Sequence, residues 1–296
     1  MKINPLIIFT FLLTFNAFAC LNGETKILKN GAFIYEDYQG IVPNGHNFNV
    51  DNFPRLIKQL DSLYKATNDL DYLSDKGYVL IISKKYLEAL DVYFQIEKIK
   101  PNRYSTASNI GTIYELLGKN KEALNWINKS IQINPKSHKG SEWIHSKILE
   151  AKIRGEKYIT SNFLINLDSD NDRTLAQLSK SKRKELINAL YYQLNERVSF
   201  IKDKDKIIAQ LLFDLANLLV IDGNSSDAVI IYIKAEKYGY SPEKIHNKII
   251  NTSWKSTVSI NKKNKSNETY KIVVVVQLVI ILILLFLLLK RKKTLK

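Results

Sequence analysis

The 296 residues include one cysteine, Cys20, one methionine, six prolines and eleven glycines. A single thiol excludes a disulfide framework and every cysteine-based zinc site. So few prolines and glycines exclude a collagenous or low-complexity chain. The short motifs of catalysis are missing too: there is no Gly-x-Ser-x-Gly elbow, no phosphate-binding glycine loop and no catalytic Asp/Glu pair. What is present is a 45% hydrophobic, 10% aromatic composition, which excludes a disordered polyelectrolyte, and enough chain for one or two domains. Lys+Arg is 44 against 29 for Asp+Glu, a net charge of +15.

Much of the apolar character sits at the two ends. Lys2 precedes an uncharged run, Leu6–Phe15, and Ala17-Phe18-Ala19 places small side chains at −3 and −1 of a cleavage site. That order predicts a signal peptide over 1–19. Cys20 follows the cut, either as the first mature residue or as a lipidated cysteine, although Ala17 and the bulky Phe18 match a lipobox poorly. At the other end, Ile272–Leu289 holds a single polar residue, Gln277. At about 1.5 Å per residue such a helix spans about 27 Å, close to the hydrocarbon thickness of a bilayer. We therefore expect a transmembrane helix over 271–290, closing on Lys290, and a basic tail over 291–296 (Arg291-Lys292-Lys293, then Lys296) that stays cytoplasmic. Signal peptide and basic tail agree on an exported N-terminal domain, so the expected location is the bacterial inner membrane, single-pass, with the domain in the periplasm. The basic balance then points to anionic envelope components rather than nucleic acid, for which no basic stripe interleaved with aromatics stands out.

Between these ends the chain repeats. Gly77, Ala89 and Pro101 recur as Gly111, Ala123 and Pro135, each shifted by 34 residues, which delimits units over 69–101 and 103–135. The glycine lets one helix approach the next, the alanine sits where helices cross, and the proline ends the second helix. Gly118 breaks the chain between the helices of the second unit. These residues resemble the tetratricopeptide repeat family. A degraded third unit is expected from Ser137–Gly155, read as one helix, and a further unit from Ala209–Pro242, with Ala228, Tyr232 and Ala235 near the family's offsets. Lys180–Phe200 reads as an amphipathic helix with Leu186, Ala189, Leu190, Leu194 and Val198 on one face. The whole helical domain is expected over 51–250. Before it, in 20–50, Asn30-Gly31 between apolar runs predicts a small hairpin, Val42–His46 a loop, and Asp51 or Asn52 a helix cap. Residues 251–270, rich in Lys, Asn and Ser, read as a polar tether. The fold class expected is all-α: a tetratricopeptide-like helical-hairpin solenoid with an N-terminal β-hairpin and one C-terminal transmembrane helix.

Candidate chemistry is sparse. His138, Glu142 and His145 fall at i, i+4 and i+7 and share a helix face, but no third metal ligand can be named, so the face reads as solvated. Asp168–Asp172 imitates the start of a calcium loop, yet Arg173 stands where glycine is required, and a polar turn is the reading. No cofactor, metal or enzymatic activity is expected.

The family resemblance implies peptide or protein binding in a concave face lined by the first helix of each repeat. Carried over by offset, that groove comprises Asp71, Ser74, Tyr78, Ile81, Ser105, Ser108, Asn109, Thr112 and Glu115. Asn109 matches the asparagine many repeats use to hold a ligand backbone. The clamp for a peptide C-terminus needs Lys and Asn in the first helix, where Ser74 and Tyr78 stand, so no clamp is expected. The implied function is a membrane-anchored scaffold for an envelope protein or peptide. The alternative is an extracytoplasmic input module of a signalling system.

Overall fold

A computed structural model describes residues 27–263 and Gln277, with side chains to 253 and at Gln277, which is helical and exposed. The expected signal segment 1–19, Cys20, the basic tail and, apart from Gln277, the expected span 271–290 lie outside the described residues. Among the described residues no helix is long and apolar enough to cross a membrane. The described chain forms two compact units, one of residues 27–38 and 46–154, the other of residues 39–45 and 155–263.

The first unit opens on the Asn30-Gly31 turn. The Leu28 N–H donates to the Ala32 carbonyl (2.9 Å), and a single antiparallel bridge joins Ile27 to Phe33. The expected hairpin is therefore one bridge wide. The longer pairing lies further on, between β1 (Tyr35–Asp37) and β2 (His46–Phe48), antiparallel with Tyr35 opposite Phe48. His46 was expected in a loop. It is buried instead, its ring 4.1 Å from that of Tyr35 and its Nδ1 2.5 Å from Asp37 Oδ1.

Six α-helices follow. Helix α1 (Phe53–Thr67) is capped by Asn52, whose side chain accepts the Arg55 N–H at 2.9 Å, with Pro54 in the first turn where no N–H is missed. Then come α2 (Leu70–Ile82), α3 (Tyr86–Ile99), α4 (Tyr104–Leu116) and α5 (Asn120–Ile133), two antiparallel hairpins at the 34-residue offset. The glycines do the job their spacing implied. A Cβ on Gly77 would lie 2.6 Å from the Tyr93 ring, and one on Gly111 2.6 Å from Ile127 Cδ1. Ala89 and Ala123 are fully buried at the crossings, and Pro101 and Pro135 follow the two second helices directly. The third stretch splits. His138–Gly140 is a 3-10 turn, and α6 (Glu142–Arg154) packs on α5. At the glycine's place in this third repeat stands His145, so the close-approach position is lost.

The second unit contains α7 (Ser161–Ile165), α8 (Asp172–Gln177), α9 (Lys180–Phe200), α10 (Lys206–Ile221), α11 (Ser225–Tyr238) and α12 (Pro242–Lys263). Helix α9 has the boundaries read from its amphipathic pattern. Its buried stripe is anchored by Ile187, with Leu186 only half-buried. Helices α10 and α11 form the third full hairpin, with Ala228, Tyr232 and Ala235 buried at the contact. Pro242 opens α12 rather than closing α11, which ends on left-handed Gly239 (φ 108°). The segment read as a polar tether is helical through Lys263. An α-helical hairpin array with a small N-terminal β-hairpin is thus the architecture of the described chain.

Candidate functional site

The face expected to bind a ligand is carried in the first unit by α2, α4 and α6. Several of its polar groups are engaged by the chain itself. Asp71 is half-buried, and its carboxylate meets Arg103 Nη2 at 2.8 Å and Lys29 Nζ at 3.4 Å. Ser74 and Ile81 are buried, and the Ser74 carbonyl accepts the Tyr93 hydroxyl at 3.1 Å. Asn109, expected to hold a ligand backbone, is 1% exposed and its amide donates to Tyr93 Oη at 3.2 Å. It ties α4 to α3. Tyr78 and Ser105 are buried as well, and Ser108 donates to Glu142 Oε1 at 3.1 Å. Thr112 is half-buried. The structure thus gathers these residues on neighbouring helices, but turns most of them inward.

The histidine face needs a correction. His138, Glu142 and His145 are not solvated: His138 and Glu142 are each 1% exposed. The Tyr104 hydroxyl donates to Glu142 Oε1 (3.0 Å), which also receives His138 Nδ1. His145 Nδ1 lies 3.4 Å from Glu142 Oε2, while its Nε2 lies 2.6 Å from Glu115 Oε2. Lys152 Nζ completes the row at 2.7 Å from Glu115 Oε1. Burial pushes the Glu142 carboxyl up, but His138 and His145 outweigh it and hold the group well below the usual carboxylate range. The same burial drives the Tyr104 hydroxyl far upward, so it stays a neutral donor. The row bonds α4 to α6, where the third repeat lacks its glycine. Among the described residues no group of three or more His, Cys, Asp and Glu is arranged to hold a metal ion. The signal for this row was present in the offset, because His138 and Glu142 stand 34 residues after Tyr104 and Ser108.

Two buried aspartates escaped the sequence reading. Asp75 on α2 accepts the Lys29 N–H at 2.7 Å, and burial raises its carboxyl to about 7. Asp214 on α10 accepts Ser169 Oγ at 2.6 Å, Ser161 Oγ at 2.7 Å and Gln210 Nε2 at 2.9 Å, and burial raises it to about 6. Each pins the segment that precedes its own hairpin. The calcium-loop mimic Asp168–Asp172 leads into α8, with Asn171 capping the helix and Lys248 Nζ 3.2 Å from Asp170 Oδ1.

No protein-family model matches the chain, and no curated protein matches it. Among solved structures it is similar to a tetratricopeptide repeat protein from Parabacteroides merdae ATCC 43184, crystallised at 2.39 Å resolution. The two share 19% identity with a TM-score of 0.34, over 68% of this chain and 92% of that one.

Proposed function

We propose that this protein is a helical-repeat scaffold of the bacterial cell envelope, exported and anchored by a C-terminal span, that binds a protein or peptide partner without catalysing a reaction. The observation that carries the reading is the pair of hairpins α2–α3 and α4–α5, repeated at 34 residues and brought together at Gly77 and Gly111. Stacked hairpins offer a long preordered surface, so a partner binds without a large ordering cost. The apolar segments at 1–19 and 271–290 support export and anchoring, and an anchor raises the effective concentration of partners in the same membrane. Since Asp71, Ser74, Ser108 and Asn109 are engaged within the chain, the partner meets the face at the half-buried Thr112.

The test places a photoreactive residue at Thr112, and separately at Leu87, which is 66% exposed on α3. Capture of an envelope protein from Thr112 but not from Leu87 is expected. Capture from Leu87 alone would overturn the assigned face, and capture from neither would overturn the scaffold. A carbonate wash that released the full-length chain would remove the anchor.

A further inference from the structure

Lysines in both units commonly sit against carboxylates: Lys76 with Asp61, Lys129 with Glu97, Lys206 with Glu156, Lys248 with Asp170. One cluster in the second unit departs from this. Lys202 lies in the turn between α9 and α10, and Lys234 and Lys237 lie one turn apart on α11. The geometry is fixed from two sides. Tyr238 Oη donates to the Ile201 carbonyl at 2.9 Å and the Asp205 N–H to the Tyr238 carbonyl at 3.1 Å, which fastens the turn to the end of α11. On the other side the Gly45 N–H donates to Asn195 Oδ1 at 2.8 Å, holding the loop 39–45 in place, and Lys234 Nζ donates to the Pro43 carbonyl and to Asn44 Oδ1. Lys202 Nζ donates to the Val198 carbonyl at 2.5 Å.

These partners are neutral. Among the described residues none of the three lysines makes an ion pair, and the acids nearby are otherwise placed. Asp205 caps α10 by accepting the Ile207 and Ile208 N–H groups at 2.9 Å, Glu236 lies 3.8 Å from His246, and Asp203 is exposed with no ion pair. Burial, and after it repulsion by Lys202 and Lys237, pushes the Lys234 ammonium down to about 8. Like charges one helical turn apart destabilise a helix. A multivalent anion removes both costs at once, and lysine is a point-charge ligand for phosphate.

We propose that Lys202, Lys234 and Lys237 form an oxyanion site that takes a phosphate group, supplied either as free phosphate or as the headgroup of an anionic phospholipid. The site is independent of the partner-binding face in the first unit.

The experiment reads amine acylation of Lys234 by mass spectrometry on the full-length chain in phosphatidylcholine nanodiscs, with Lys98 and Lys100 as exposed references. One arm adds inorganic phosphate against chloride of equal ionic strength. The other replaces part of the lipid by phosphatidylglycerol. Protection of Lys234 by phosphate assigns a free-phosphate site, and protection only by phosphatidylglycerol assigns a headgroup site. Replacing the two exposed lysines together, Lys202→Gln with Lys237→Gln, weakens the protecting ligand about ten-fold or more, the loss expected for charge-assisted contacts. Unchanged labelling in both arms, protection no greater than at Lys98 and Lys100, or an undiminished effect in the double variant each overturns the site.

Discussion

The hairpins α2–α3 and α10–α11 were built on one frame and filled differently. Ala89 and Ala228, and Tyr93 and Tyr232, are 139 residues apart in each case, and all four are buried at the helix contact. At the same spacing Asp75 corresponds to Asp214 and Gly77 to Ala216. In the first hairpin the Tyr93 ring lies over a bare glycine and its hydroxyl reaches backbone, the Ser74 carbonyl. In the second, Ala216 occupies the bare place and the Tyr232 hydroxyl reaches a side chain, Asn217 Oδ1, at 2.5 Å. The tyrosine anchors the first helix in both. What differs is where the hydroxyl donates: to a backbone carbonyl in the first hairpin, where it also accepts the Asn109 amide, and to a side-chain amide oxygen in the second.

The strongest way to break the comparison is to remove the buried carboxylate–histidine row of the first unit. Glu142→Gln leaves His138 and His145 buried beside a neutral amide, and the loss expected for one partner of a buried charged network is about 3–5 kcal/mol. Because Glu142 is held below the usual carboxylate range, its contribution is present above the unfolded value and lost as the pH falls through the folded one. The gap between wild type and variant in urea titrations is therefore full at pH 7 and narrows below about 4.5. A gap independent of pH would show that the carboxylate charge is not what holds α6.

Next comes the methyl group itself. Gly77→Ala drives a Cβ into a ring held at its hydroxyl by both Ser74 and Asn109, so the ring cannot swing away. Overpacking of this kind costs about 1–3 kcal/mol, against about 1 kcal/mol returned by helix propensity. Gly111→Ala meets mainly the flexible end of Ile127 and should cost less. The converse change, Ala216→Gly, loses about 1 kcal/mol of propensity and a buried methyl, without strain. Denaturant midpoints with Gly111→Ala above Gly77→Ala fit this account. Gly77→Ala as the mildest would not.

The aspartates sharpen the parallel. A folded carboxyl raised from 3.8 to about 7 favours the folded state fully below the unfolded value, and that advantage is lost as the pH rises through the folded one. Asp75→Asn keeps an acceptor for the Lys29 N–H and removes the buried charge, so at pH 8 it gains stability relative to wild type, by about 1–3 kcal/mol after allowing for the unmatched amide. At pH 4 the gain vanishes. Asp214→Asn follows the same sign over a narrower window, from 3.8 to about 6, and gains less because three donors already serve that carboxylate. Thermal melts at the two pH values separate them.

How much of this could be read in advance depended on distance along the chain. The hairpins α2–α3 and α4–α5 were legible because glycine, alanine and proline act within one repeat. Helix α9 was legible because its periodic pattern ends where the helix ends. The direction of the groove side chains was not: Asn109 turns inward because its partner, the Tyr93 hydroxyl, belongs to the preceding helix. Likewise the solvated histidine face became a buried row because Tyr104, Ser108 and Glu115 arrive from α4, about a repeat away. Pro242 misled for a local reason, since Gly239 had already ended the helix and proline is as comfortable opening one as following one.

The smallest effect lies in the turn between the two helices of each hairpin. Lys84, Gly118 and Gly223 occupy one equivalent position, with φ of 62°, 75° and 89°. The following N–H closes the same bond each time, from Lys85 to the Leu80 carbonyl, Lys119 to Tyr114 and Asn224 to Leu219, at 2.8–2.9 Å. The left-handed conformation is thus imposed by the hairpin, and only the first copy holds it with a side chain. A non-glycine residue there costs about 1 kcal/mol, part of which glycine gives back as unfolded-chain entropy. Lys84→Gly should therefore raise stability by a few tenths to about 1 kcal/mol, and Gly223→Lys should lower it by a similar amount. A loss on Lys84→Gly would mean that the Lys84 side chain makes a contact worth more than its backbone strain, and that the first hairpin is held at its turn as well as at its tyrosine.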